Sequence, residues 1–90
     1  MVYITHIRLK DGTGVQHISR VKWEQPSHGK AGEYTRQQMV NYINDGNDVY
    51  VRGRGNASDA KVVVVIATPP HLKTVADGRE TNNLLSLPHF

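Results

Sequence analysis

Ninety residues with a net charge of +3 bound a single small domain, since a chain this short cannot build a second core. Cysteine is absent, which excludes disulfides, thiolate metal ligands and thiol nucleophiles together. Apolar content of 38% against 21% charged residues indicates a folded chain, no run reaches membrane-spanning length, and no signal-peptide pattern opens the sequence, so a cytoplasmic protein is expected.

Residues 2–9 and 15–23 read as two strands around the turn Asp11-Gly12-Thr13-Gly14. Pairing Lys10 with Val15 would set Ile7 opposite Ile18, Ile4 opposite Val21 and Val2 opposite Trp23. Apolar residues then fall on both faces: Tyr3, Ile7, Leu9 and Ile18 on one, Val2, Ile4, Val21 and Trp23 on the other. His6 and His17 become diagonal neighbours in this register, but two imidazoles without a third ligand make a poor zinc site, and no metal is expected. Residues 24–33, with Pro26, Gly29 and Gly32, read as a flexible loop.

The helix that follows carries its own punctuation. Thr35 can cap it, Gln38 completes a capping box, and Tyr34 and Met39 stand at staple spacing. Gly46 supplies the left-handed position that ends it. Met39, Val40 and Ile43 form a narrow apolar stripe with Tyr42 beside it, enough to cover one face of a small sheet.

Residues 48–52 read as a third strand, and residues 53–60 as the turn into the valine-rich run Lys61-Val62-Val63-Val64-Val65-Ile66-Ala67. Stiff β-branched side chains make that run a strand, and the lack of alternation predicts cover on both of its faces. After Pro69-Pro70, residues 71–75 read as a short strand, Asp77-Gly78 as a turn, and residues 76–90 as a docked C-terminal tail bearing Leu84, Leu85, Leu87 and Phe90. The expected fold is one α+β domain over residues 1–90. It has a small antiparallel sheet of four to five strands, element order β-β-α-β-β, with one short helix on one face. A single helix cannot cover both faces of the valine strand, so a homo-oligomer, most simply a dimer, is expected.

A hairpin, a short helix ending in glycine, two strands, then Leu72-Lys73-Thr74, Asp77 and Asn83-Leu84-Leu85-Ser86-Leu87-Pro88 resemble a family of small bacterial and phage proteins, domain of unknown function 3892. The resemblance covers most of the chain and is most specific in the tail. It implies a compact α+β fold and is compatible with a phage origin, hence a host-cytoplasmic location. No activity, cofactor or site residue comes with it.

The residues themselves offer one candidate site. Tyr50, Arg52 and Arg54 recur at period two and can project from one strand face, an aromatic followed by two guanidiniums suited to a ring and a phosphate. Gly53, Gly55 and Asn56 would bring backbone amides close to an anion, although they equally suit a plain hairpin turn. His71 and Lys73 add basic character, and Trp23 could be a second stacking platform, although a buried core tryptophan is the plainer reading. The aspartates fall mostly at turns or element ends, and the serines lie in no nucleophile motif, so no enzyme and no cofactor are expected. The expected function is a non-enzymatic module that binds or sequesters a small anionic, nucleotide-type ligand. Small size and family context extend this to a phage anti-defence protein that captures a nucleotide second messenger. Nucleic-acid binding through the same basic face and a protein-binding inhibitor are the alternatives. The balance of 11 basic to 8 acidic residues weakens the first of them.

Overall fold

The computed structural model describes residues 1–53, 58–76, 79–81 and 84–90, with 79–81 by backbone alone. Within them lie β1 (Val2–Leu9), β2 (Ile18–Gln25), β3 (Lys30–Thr35), α1 (Arg36–Asn44), β4 (Val49–Val51), β5 (Ala60–Val65), β6 (His71–Ala76) and β7 (Arg79–Thr81). The fold is α+β, but the described strands make one seven-stranded sheet in the order β3-β2-β1-β4-β5-β6-β7, not one of four to five. Nor is the sheet wholly antiparallel. β1 and β4 run parallel, with Val2 opposite Val49 and Tyr3 opposite Tyr50. After β3 the chain is at the sheet's far edge, and α1 carries it back across one face to place β4 beside β1. A parallel neighbour needs such a crossover.

Two extra strands account for the higher count. Residues 24–33 are no loop: β2 runs to Gln25, Pro26–His28 form a 3-10 turn, and β3 returns antiparallel with Gln25 opposite Lys30 and Trp23 opposite Gly32. Pro26 suits the first position of that turn and Gly29 adopts φ 63°, so the residues that read as flexible are hairpin chemistry. β3 was hard to see because its core-facing positions are Gly32 and Tyr34. A β-carbon on Gly32 would stand 2.7 Å from Trp23 Cζ2, so the indole occupies the space a side chain would need. The second addition is β7, which pairs with β6 inside the stretch expected to be tail.

The first hairpin has a different register from the expected one. Ile4 lies opposite Trp23, Ile7 opposite Val21 and Leu9 opposite Ile18. Val15–His17 form a 3-10 turn, Lys10 N donates to His17 O at 2.9 Å, and β2 therefore starts three residues later than position 15. His6 consequently faces Lys22 while His17 sits in the turn, and the two imidazoles share no face. Register shifts fall between Ile4 and His6 and between Arg8 and Leu9. An extra residue inverts which face the following side chains take. The two apolar sets of β1 thereby merge: Val2, Ile4 and Ile7 are all buried in one core, with Leu9 packed against it.

That core lies under α1, which packs on β2, β3, β5 and β6 through the buried Met39 and Val40. The helix starts as its spacing predicts, with Gln38 N donating to Thr35 Oγ1 at 3.2 Å and Thr35 N to Gln38 Oε1 at 2.9 Å. Gly46 stands at φ 96° just beyond the C-terminus. In β5, Val62 and Val64 join the core, whereas Val63 and Val65 belong to the face opposite the helix and Ile66 is 98% exposed. Leu84 is fully buried in the core. Beyond it, Ile7 N donates to Pro88 O at 3.0 Å and Phe90 N to Ile7 O at 3.1 Å. This segment pairs with the part of β1 that the three-residue β4 is too short to reach. Among the described residues no helix is long and apolar enough to cross a membrane.

Candidate functional site

The sheet face opposite α1 collects most of the chemistry. Tyr50 is flanked in β4 by the buried Val49 and Val51, so strand alternation turns it away from the core. Tyr50 lies opposite Lys61, and Lys61 opposite Val75. Stepping by two from Val75 reaches Lys73 and His71, which lie opposite Val63 and Val65 on this same face. From the other side, Tyr3 brings its ring within 6.4 Å of Tyr50. Arg8, Arg20, Lys22 and Glu24 also belong to this face, since their strand neighbours Ile7, Val21 and Trp23 point to the core.

Arg52 follows Tyr50 at period two, as expected, but its guanidinium is engaged. Cζ sits 4.2 Å from the Tyr3 ring centroid and Nη2 is 3.0 Å from Glu24 Oε1. Tyr3 donates from its hydroxyl to Asp59 Oδ2 at 3.2 Å. Burial pushes the Tyr3 phenol up from its ordinary value, the Asp59 charge and hydrogen bond add to this, and Arg52 opposes them. The Gly53 amide is engaged within the chain, its N donating to Asp59 Oδ1 at 2.9 Å. Arg54, Gly55 and Asn56 lie outside the described residues.

Trp23 does not join the stripe. Opposite the buried Ile4, it faces the helix side, where its ring centroid is 5.3 Å from that of Tyr34. The sheet itself separates it from Tyr50 and Arg52. His71, Lys73, Tyr50 and Arg52 are thus brought to one face, and Trp23 to the other.

Sequence reasoning missed the second cation–aromatic cluster on the open face. Arg8 Cζ and Lys22 Nζ lie 4.5 and 4.8 Å from the Phe90 ring centroid, and Arg8 Nε donates to Phe90 O at 2.8 Å. Nothing local signals it, since Arg8 and Phe90 meet only because the tail pairs with β1. Beside it, Arg20 Nε donates to Glu33 Oε1 at 2.6 Å. That bond holds the Glu33 carboxyl below its ordinary value despite opposing desolvation, with the charges of Arg20, Arg8 and Lys22 adding to the pull. Among the described residues no three His, Cys, Asp or Glu side chains are grouped to hold a metal ion.

Three of the cavities bounded by the described residues flank this framework. A polar one of about 420 Å³ lies where Lys10, Gln16, His17 and Arg36 meet the start of α1. A second, about 190 Å³, is lined by Val2, Trp23, Gln25, Lys30, Tyr34 and Tyr42. A third, about 570 Å³, runs past Ile43, Val62, Val64, Ile66 and Pro70. No curated protein and no solved structure matches the chain. A family model described as protein of unknown function (DUF3892) matches residues 3–88, nearly the full length, and the chain belongs to that family.

Proposed function

We propose that the protein is a non-enzymatic binding module for a small anionic, nucleotide-type ligand, taken up on the open sheet face by a homo-oligomer. The observation that carries this is the couple of Arg52 stacked on Tyr3 beside Tyr50, with Glu24 as the guanidinium's counter-ion. Arg52 and Glu24 are 56% and 40% exposed, so water screens their attraction and holding them together contributes little. A phosphate offers the same planar fork a stronger charge-assisted pair than one exposed carboxylate. On binding it replaces Glu24, while the ligand's ring lies against the tyrosines. Capture of a nucleotide second messenger, as an anti-defence protein would require, is one use of such a site.

Calorimetry against nucleotides and cyclic nucleotides tests this. Arg52→Ala weakens binding at least about tenfold, whereas Glu24→Gln, which removes the competing charge, tightens it. Unchanged affinity in both variants overturns the assignment. Nucleic-acid binding remains the second reading, because Arg8, Lys22, Arg52 and Lys61 are spread along an open face. Salt separates the two: strand binding declines steeply with ionic strength, and a single phosphate contact far less.

The oligomer is supported by Ile66, an exposed isoleucine at the rim of the 570 Å³ groove lined by Ile43, Val62, Val64 and Pro70. Knob and groove on one surface are what a two-fold pair needs, since each subunit then supplies both to the other.

A further inference from the structure

We infer that the cavity between the β2–β3 hairpin and α1 binds a small planar acid, a single ring with a hydrogen-bond acceptor on its edge and a carboxylate beside it. This site lies on the helix side of the sheet and is independent of the open-face reading above.

Its walls follow from the hairpin register. Trp23 lies opposite Gly32, and Val21 opposite Tyr34, so Trp23 and Tyr34 are diagonal neighbours on the core side. Tyr42 on α1 brings its ring to 6.0 Å from that of Tyr34 at an interplanar angle of 56°, and Trp23 stands at 46° to Tyr34. The three rings, with Tyr34 tilted against each of the other two, line an aromatic slot, with Val2 among its lining residues. Gln25 and Lys30, directly opposite each other at the end of the hairpin, complete it.

Three observations set the ligand's chemistry. The first is size. A cavity of about 190 Å³ is close to the ~150 Å³ that admits a benzene ring, so one ring with a short substituent fits and a whole nucleotide does not. The second is an unmet donor. Trp23 Nε1 is buried and has no hydrogen-bond partner among the described residues. A buried N–H left unpaired is a standing cost that an incoming acceptor removes. Trp23 lines this cavity and neither of the other two described above, and because its N–H is closed to water in the empty cavity, an acceptor reaches it only as the lining side chains give way. The third is charge. Lys30 is exposed, and among the described residues no carboxylate pairs with it. On entry the ring slides between the aromatic side chains while the flexible Gln25 and Lys30 swing aside. The indole N–H then donates a hydrogen bond to the edge acceptor, and the carboxylate pairs with the Lys30 ammonium. No bond is made or broken.

Three probes separate these contributions: nicotinate carries the ring acceptor and the carboxylate, benzoate lacks the acceptor, and pyridine lacks the charge. Trp23 is the single tryptophan, so its indole N–H resonance and its fluorescence both report on the site without ambiguity. Nicotinate at millimolar concentration should move the indole N–H resonance downfield and bind at least about tenfold more tightly than either other probe. Lys30→Ala should cost nicotinate about the same factor, and Trp23→Phe should bring its affinity down to that of benzoate. If Trp23→Phe does not fold, the wild-type resonance and Lys30→Ala still decide. An unmoved indole resonance, equal affinity for nicotinate and benzoate, or an unchanged Lys30→Ala variant overturns the proposal. Arg52→Ala should leave nicotinate binding intact, and a loss there would place the acid on the open face and overturn it equally.

Discussion

Replacing Ile66 with lysine should convert an assembled protein into monomers while leaving the fold untouched. Ile66 is 98% exposed, so the monomer gains almost nothing from its side chain and loses nothing when it becomes charged. At a two-fold interface the same side chain would be buried twice. Burying an isoleucine contributes about 1.5–3 kcal/mol, and two of them contribute about 3–6 kcal/mol to one dimer. Losing that raises the dissociation constant by about two to four orders of magnitude, before counting the cost of desolvating two ammonium groups. Sedimentation or light scattering across a concentration series reads this directly, with circular dichroism confirming an unchanged melting curve for the dissociated variant. A wild-type protein of 10.1 kDa at every concentration would refute the reasoning, and so would an assembly that survives Ile66→Lys.

Three further predictions address the framework. Gly32→Ala would place a β-carbon 2.7 Å from Trp23 Cζ2, an overpacking that should cost about 1–3 kcal/mol, read as a lower melting temperature with a shifted tryptophan emission. Thr35→Ala removes the side-chain half of the capping box and should cost about 1 kcal/mol in urea denaturation, with no effect on nicotinate or nucleotide binding. Glu33 has a depressed folded-state pKa, so its contribution is present above the ordinary glutamate range and is lost as pH falls through the folded value. Stability of the wild type should therefore decline more steeply on acidification than that of Glu33→Gln, and parallel pH profiles would show that the Arg20 pair does not matter to folding.

The capped helix was legible in the sequence because a cap is a local device. Thr35, Gln38 and Gly46 act on backbone groups within a turn of themselves, and no distant residue can change what they do. The β-branched run of β5 was legible for the same reason, as was Tyr50 with Arg52 on one face, since alternation within a strand needs no partner. The inner register of β1 and β2 was not. The two shifts around His6 and Leu9 arise from how two strands meet, and they invert side-chain faces without any signature in either strand. That is why Val2 and Ile4 read as belonging to a different face from Ile7. β3 escaped because its core positions hold Gly32, which yields its volume to Trp23 nine residues before it in the closing hairpin. The parallel placement of β4 and the meeting of Phe90 with Arg8 were decided later still, by contacts between segments far apart in the chain. Local sequence determines which conformation a segment prefers, but faces, neighbours and pockets are set by pairing, and pairing is a property of the folded whole.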